Sequence, residues 1–267
     1  MILTALPAVL AVGSGGLIGL ILGLVGGGGS ILAVPLLVYV VGVASPHVAI
    51  GTGAIAVAVN AAFGLAAHAR LGTVKWPCSL VFAASGIAGS ALGATAGKAV
   101  DGQRLLAVFG LLMMGVGLAM LRSPAQSGDP EVRLTLSSAA HLLPRLVGIG
   151  FGVGLLAGLF GIGGGFLIVP GLMLATGMPM ANAIGTSLVA VTAFGLTTAG
   201  SYAVAGLIDW PLVGFVIGGG VVGSLTGSRL NARLAGNKRL LTRIFAGTVI
   251  VVGAMVLARG LPHLMSG

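Results

Sequence analysis

The stretch Gly23-Leu-Val-Gly-Gly-Gly-Gly-Ser30, followed by Ile-Leu-Ala-Val-Pro35, returns 135 residues later as Gly158-Leu-Phe-Gly-Ile-Gly-Gly-Gly165, followed by Phe-Leu-Ile-Val-Pro170. Upstream, Gly15, Gly19 and Gly23 map onto Gly150, Gly154 and Gly158 at the same offset. Downstream the offset becomes 134, and Ile50-Gly51-Thr52 pairs with Ile184-Gly185-Thr186, and Trp76-Pro77 with Trp210-Pro211. Gly89 and Gly93 pair with Gly223 and Gly227, and Arg104 with Lys238. A glycine-rich match alone means little in a chain with 49 glycines. The only two tryptophans, each followed by proline and in register with the other landmarks, make the duplication specific.

Each copy holds four apolar blocks, at 8–42, 46–69, 76–97 and 104–121 in the first and at 145–177, 179–205, 210–230 and 240–258 in the second. The first block of each copy is too long for one straight helix and carries the glycine cluster in its middle. Glycine is a poor helix former, so a broken helical hairpin is expected there. The polar stretch from Arg122 to His141, with Pro124, Gly128, Asp129, Pro130 and Glu131, reads as a linker. The chain thus divides into a first membrane repeat, 1–121, a cytoplasmic linker, 122–143, and a second membrane repeat, 144–267.

Composition settles the solvent. The 267 residues are 57% hydrophobic and 6% charged, where a soluble domain carries about a quarter charged residues. So few charges cannot cover a water-facing surface, so the chain is read as an all-α integral membrane protein. The net charge of +9 reflects four acids against 13 Lys and Arg. Those bases sit between apolar runs, which argues against nucleic acid as a partner and for a role in orientation. Residues 1–12 lack a basic leader region and read as the start of the first membrane segment rather than a cleavable signal.

Lys/Arg bias gives the topology. Arg229, Arg233, Lys238, Arg239 and Arg243 cluster between the last two blocks of the second copy, whereas in the first copy the bias moves one loop earlier, to Arg70 and Lys75. The central Arg122, Arg133 and Arg145 add to the same side. These positions agree only if the two copies have opposite orientation. The expected fold is therefore two inverted-topology repeats, each a glycine-broken hairpin plus three transmembrane helices, with both chain ends extracytoplasmic. Inverted repeats with broken helices are characteristic of secondary transporters.

The glycine breaks are the candidate substrate site: Gly27, Gly28, Gly29 and Ser30 in one copy, Gly163, Gly164 and Gly165 in the other. Irregular backbone at membrane depth exists only where protein or water covers it. A helix beginning after such a break presents free N–H groups and a positive dipole end to an anion. Neither cluster stands between a strand and a helix, and no Gly-Lys-Ser/Thr follows, so a nucleotide loop is not indicated. Thr52, Asn60, Thr186 and Ser187 are the candidate polar lining, Asn60 above all because an amide in hydrocarbon needs partners. The rows Gly15/Gly19/Gly23, Gly89/Gly93/Gly97 and their counterparts read as close-packing surfaces. His47, His68, His141 and His263 lie near block ends, and His68 is the best placed to titrate. No Asp or Glu lies deep in any block, which suits an anionic cargo. Cys78 reads as a small apolar core residue. No metal-binding cluster or cofactor motif is present.

In combination these residues resemble the sulfite exporter TauE/SafE family, also called the toluene-sulfonate uptake permease family. The resemblance rests on 26–35, Ile50-Gly51-Thr52, 72–77 and Gly89/Gly93 with their second-copy counterparts. It implies a multi-pass inner-membrane permease for sulfite, an organosulfonate or another sulfur oxyanion. The copies differ where Ser30 faces Gly165 and Gly53 faces Ser187, so the site should be pseudo-symmetric. The expected function is secondary transport of a small anion, with one half moving against the other. A passive anion channel is the alternative. An intramembrane enzyme is disfavoured, because Ser30 has no histidine at matching depth and no acid pair exists. The expected partners are the small anion and the bilayer, with a homo-oligomer left open.

Overall fold

The computed structural model of the chain describes residues 5–25, 27–122, 136–163, 165–233 and 238–265. Ten α-helices account for nearly all of them: α1 Ala5–Val25, α2 Ala33–Tyr39, α3 Pro46–Arg70, α4 Trp76–Ala99, α5 Gly102–Arg122, α6 Leu136–Phe160, α7 Gly165–Thr176, α8 Met180–Val204, α9 Trp210–Arg233 and α10 Lys238–Met265. A 3-10 segment, Gly27–Leu32, links α1 to α2. Among the described residues no strand occurs. Among the described residues, seven helices are long and apolar enough to cross a membrane, in α1, α3, α4, α5, α6, α8 and α9. In such a solvent only a helix satisfies every backbone group within its own segment, so apolar runs of this length have one stable form.

Local chemistry fixes the helix ends. Ser45 accepts the Val48 N–H at 3.5 Å and Pro46 opens α3, the usual grammar of a helix start. Asp101 accepts from the Gln103 and Arg104 amides, both at 3.0 Å, and Asp209 from Leu212 at 3.1 Å. Of the chain's four acids, these two thus serve as caps. The expected broken first blocks take the form of a long helix returning through a short one. The first turns back through the 3-10 segment into α2, the second through Gly161 and Gly163, both with left-handed φ (65° and 60°), into α7. Residues 123–135 of the expected linker lie outside the described residues. Its last part is not a loop, since α6 already begins at Leu136.

Glycine seams decide the packing. A β-carbon at Gly15 would meet the Val216 carbonyl, one at Gly19 the Gly220 carbonyl, and one at Gly223 the Gly16 carbonyl. The contacts advance together along both helices, so α1 and α9 run parallel with their backbones touching. Gly89, Gly93 and Gly97 meet Phe151, Leu155 and Leu159 in turn, so α4 and α6 form the matching parallel pair. The small-residue rows thus do what their spacing suggested, but each one joins the first copy to the second. Equivalent helices meet head to tail. Gly51 lies at Leu207 and Gly64 at Leu188, so α3 and α8 are antiparallel, and Gly117 at Ala246 with Gly260 at Ala107 makes α5 and α10 antiparallel.

These directions bring Arg70, Lys75, Arg122 and Arg229 to one end of the bundle, here called the basic face. Lys98, Arg104, Asp101 and Asp209 lie at the opposite end, together with the described start of α1 and end of α10. Trp76 and Trp210, each at the start of its helix, are 45% and 60% exposed at opposite faces, as amphipathic rings at the two membrane interfaces would be.

Candidate functional site

The first glycine break packs against the helix that follows the second. The 3-10 segment Gly27–Leu32 packs on α1, α7 and α8, and Gly28, Gly29, Ser30, Gly163 and Gly165 are all buried. Gly29 lies so close to the Ile18 carbonyl and the Leu22 amide that no side chain fits. Gly163 sits between the equivalent helices, where its β-carbon would lie 3.1 Å from Val57 and 3.5 Å from Val191. Gly164 lies outside the described residues. The first break thus packs on α7, the helix that follows the second break, and Gly163 lies at the α3–α8 crossing.

Asn60 stands one helical turn from Val57 on α3. It is 1% exposed, and neither its Oδ1 nor its Nδ2 has a hydrogen-bond partner. The amide packs against Gly220 of α9, whose missing side chain leaves the room for it. A buried amide without partners is costly, so a polar group that completes it gains by binding.

The two threonines are not part of that centre. The Thr52 Oγ1 accepts the Asp209 N–H at 3.0 Å, and the Thr186 Oγ1 accepts the Lys75 N–H at 3.0 Å. Each Ile-Gly-Thr thus holds the start of the Trp-Pro helix of the other copy. The neighbouring glycines explain the rest of the motif. Gly51 leaves room for the Leu207 carbonyl, and Gly185 for Thr73 Oγ1 at 2.6 Å from where its β-carbon would stand. Because α3 and α8 are antiparallel, the two bonds lie at opposite ends of the bundle, about 20 Å apart at 1.5 Å per residue. Grouping Thr52 and Thr186 around one ligand therefore does not match their placement. The Ser187 hydroxyl donates to its own helix, to the Ile184 carbonyl at 2.7 Å, as a hydroxyl in an apolar helix commonly does.

Each latch has a distinct surround. At the basic face the Thr73 hydroxyl donates to the His68 carbonyl at 3.2 Å, so His68 Nδ1–H donates to Thr73 Oγ1 at 2.9 Å. Asn182 Nδ2 donates to the Thr73 carbonyl at 3.2 Å. At the opposite face Tyr202 occupies the position equivalent to His68. Its ring stacks on His47 at 6.5 Å, and Lys98 lies 5.8 Å above it while donating to the Ser201 carbonyl and Oγ at 3.0 and 2.9 Å. The Tyr202 hydroxyl, the Tyr39 hydroxyl and Ser14 Oγ are, like Asn60, buried without partners. The sequence reading passed over Ser14, because a serine within a glycine row looks like one more small packing residue. Its counterpart Ile149, an apolar residue facing a polar one across the repeat, was the available signal.

Long apolar spans, two of them followed by glycine breaks, with an unpaired amide buried among them, define a polytopic helical membrane protein. The sulfite exporter TauE/SafE family model matches residues 11–256, and the chain belongs to this family of membrane transporters. A probable membrane transporter protein of Xylella fastidiosa (strain Temecula1 / ATCC 700964) is 47% identical, over 99% of this chain and all of that one. The probable membrane transporter protein YunE of Bacillus subtilis (strain 168) is 27% identical over 91% of this chain and 96% of its own. The probable membrane transporter protein MJ0441 of Methanocaldococcus jannaschii is 27% identical over 70% and 68%. No solved structure matches the chain.

Proposed function

We propose that the chain is an inner-membrane secondary transporter of a small anion, with sulfite, an organosulfonate or another sulfur oxyanion as cargo. The observation that carries this reading is the unpaired, buried Asn60, one turn along α3 from the Val57 that meets Gly163, with the first glycine break packed on the helix that follows the second. Backbone N–H groups at the start of α7 and the Asn60 amide are donors that an anion would complete. The family name supports a sulfur oxyanion.

The antiparallel contacts of α3 with α8 and of α5 with α10 support inverted repeats, since a repeat related by an axis along the membrane normal would place equivalent helices parallel. The positive-inside tendency makes the basic face cytoplasmic. The Thr186–Lys75 bond then closes the cytoplasmic side and the Thr52–Asp209 bond the other, and alternating access breaks them in turn. The seams α1–α9 and α4–α6 join the copies, so the moving bodies draw helices from both halves rather than dividing at the linker.

Counterflow of radiolabelled sulfite into proteoliposomes loaded with unlabelled sulfite tests the reading. Saturable exchange that falls at least about tenfold in Gly163→Leu supports it. Unaltered exchange in that variant sinks the site, and unitary currents in place of saturation identify a channel.

A further inference from the structure

We infer that the interior site is one-sided, lying in the first copy around Ser14 and Asn60, and that it selects a singly charged oxyanion that also carries a hydrogen-bond donor. This rests on the transport reading above and specifies its cargo.

The repeat uses the same positions in two different ways. In the second copy Gly171 of α7 has Ile149 and Val153 close against it, 3.2 and 3.3 Å from where its β-carbon would stand, and the Phe82 ring at 3.5 Å. The Phe82 ring stacks on Phe194 at 6.2 Å, and Phe194 lies on Gly86. Phe82 and Phe194 are fully buried, so the space between α4, α6, α7 and α8 is filled with hydrocarbon. In the repeat register, Ile149, Phe82 and Phe194 of that plug correspond to Ser14, Val216 and Asn60. The scaffold is kept, because Asn60 lies on Gly220 as Phe194 lies on Gly86. What changes is size and polarity. Two apolar side chains are replaced by polar ones and a phenyl ring by an isopropyl group. Ser14 is 4% exposed and Asn60 1%, and their side-chain oxygens and nitrogen are all unpartnered. A fold that can pack this position with a phenylalanine carries two buried, unsatisfied polar groups in the other copy, which is the signature of a place that a ligand completes.

The chemistry of those groups restricts the ligand. Around the site, α1, Gly27–Leu32, α2, α7 and α8 contain no Asp, Glu, Lys or Arg, and on α3 and α9 the groups nearest in sequence, His68, Arg70 and Arg229, lie a helix length of about 12–15 Å from Asn60 or from Gly220 beneath it. No fixed cation there offsets a buried charge, and the cost of burying charge grows with its square, so a dianion is opposed far more strongly than a monoanion. The Asn60 side chain presents an N–H₂ group and a carbonyl together, whichever way the amide is turned. The N–H₂ group suits an anionic oxygen. The carbonyl repels one and needs a donor instead. A hydrogen sulfite, or a sulfonate bearing a hydroxyl or amino group, offers both. Sulfate and thiosulfate as dianions do not, and a simple alkyl sulfonate leaves the carbonyl unpaired.

Counterflow with equal pH on both sides, so that no proton gradient enters, separates these cases. Exchange of total sulfite should fall as the monoanion is titrated away, by about tenfold per pH unit beyond the second pKa of the anion. Hydroxylated or amino-bearing sulfonates should compete best, methanesulfonate less, and sulfate and thiosulfate least. Asn60→Phe and Ser14→Ile install the residues that the other copy already packs. Both should remain monodisperse and lose exchange at least tenfold, and the near-isosteric Asn60→Leu should do the same. A flat pH profile, or sulfate exchanging as fast as acidic sulfite, overturns the charge selection. Unchanged exchange in Asn60→Leu overturns the placement. A folded wild-type chain that exchanges none of these anions overturns the transport reading itself.

Discussion

Thr186→Val separates a latch from a passive hydrogen bond, and the chain supplies its own reporter. Valine keeps the shape of threonine and removes the oxygen that accepts the Lys75 N–H at 3.0 Å. With the basic face closed, that part-buried amide loses this acceptor, at a cost of up to about 1–3 kcal/mol. With the end open, water replaces the lost partner and the substitution costs little. The closed-to-open balance should therefore move by about 5- to 150-fold. Cys78, the only cysteine, lies in the first turn of α4, three residues beyond Lys75, and is fully buried. A thiol reacts with maleimide only when water and reagent reach it. When opening is fast relative to modification, the rate follows the open population. In proteoliposomes Cys78 modification should accelerate by at least about fivefold in Thr186→Val. Thr52→Val loosens the far face and should leave the rate unchanged or lower it. Equal acceleration by both variants, or none by Thr186→Val, would show that the bonds are not opposed gates.

Two further outcomes follow from the packing. Gly93→Ala places a methyl group against the Leu155 carbonyl, backbone that cannot turn aside, whereas a β-carbon at Gly152 meets nothing within 4 Å. Thermal unfolding in detergent should fall by the equivalent of about 1–3 kcal/mol in the first variant and stay unchanged in the second. A cysteine at Leu71, in a Cys78→Ser background, should react with impermeant maleimide only from the side of the basic face, and one at Gly206 only from the other. Labelling of both from one side would contradict the helix directions.

The helical content, the membrane spans and the broken first blocks could be read from Gly26–Gly29 and Gly161–Gly165 because a polar backbone in lipid has so few options. Which helix each glycine row receives could not. Gly15/Gly19 and Gly89/Gly93 have the same spacing, and a flat helix face does not encode its partner. The hydroxyls of Thr52 and Thr186 were recognisable as buried polar groups, but their acceptance of amides 157 and 111 residues away belongs to tertiary structure alone. Asn60 was legible because an amide stands out in an apolar helix, while Ser14 became visible only against Ile149.

The parallel seam between α1 and α9 also bears on how the chain is made. The surface that fits the glycine row of α1 is synthesised some 185 residues after that helix is complete. At about 5–20 residues per second that is a wait of roughly 10–40 s. During that time the flat, unpaired face of α1 borders lipid or an insertion factor rather than its final neighbour. The order of synthesis and the order of assembly are thus uncoupled: α1 enters the bilayer well before the helix that its glycine row fits.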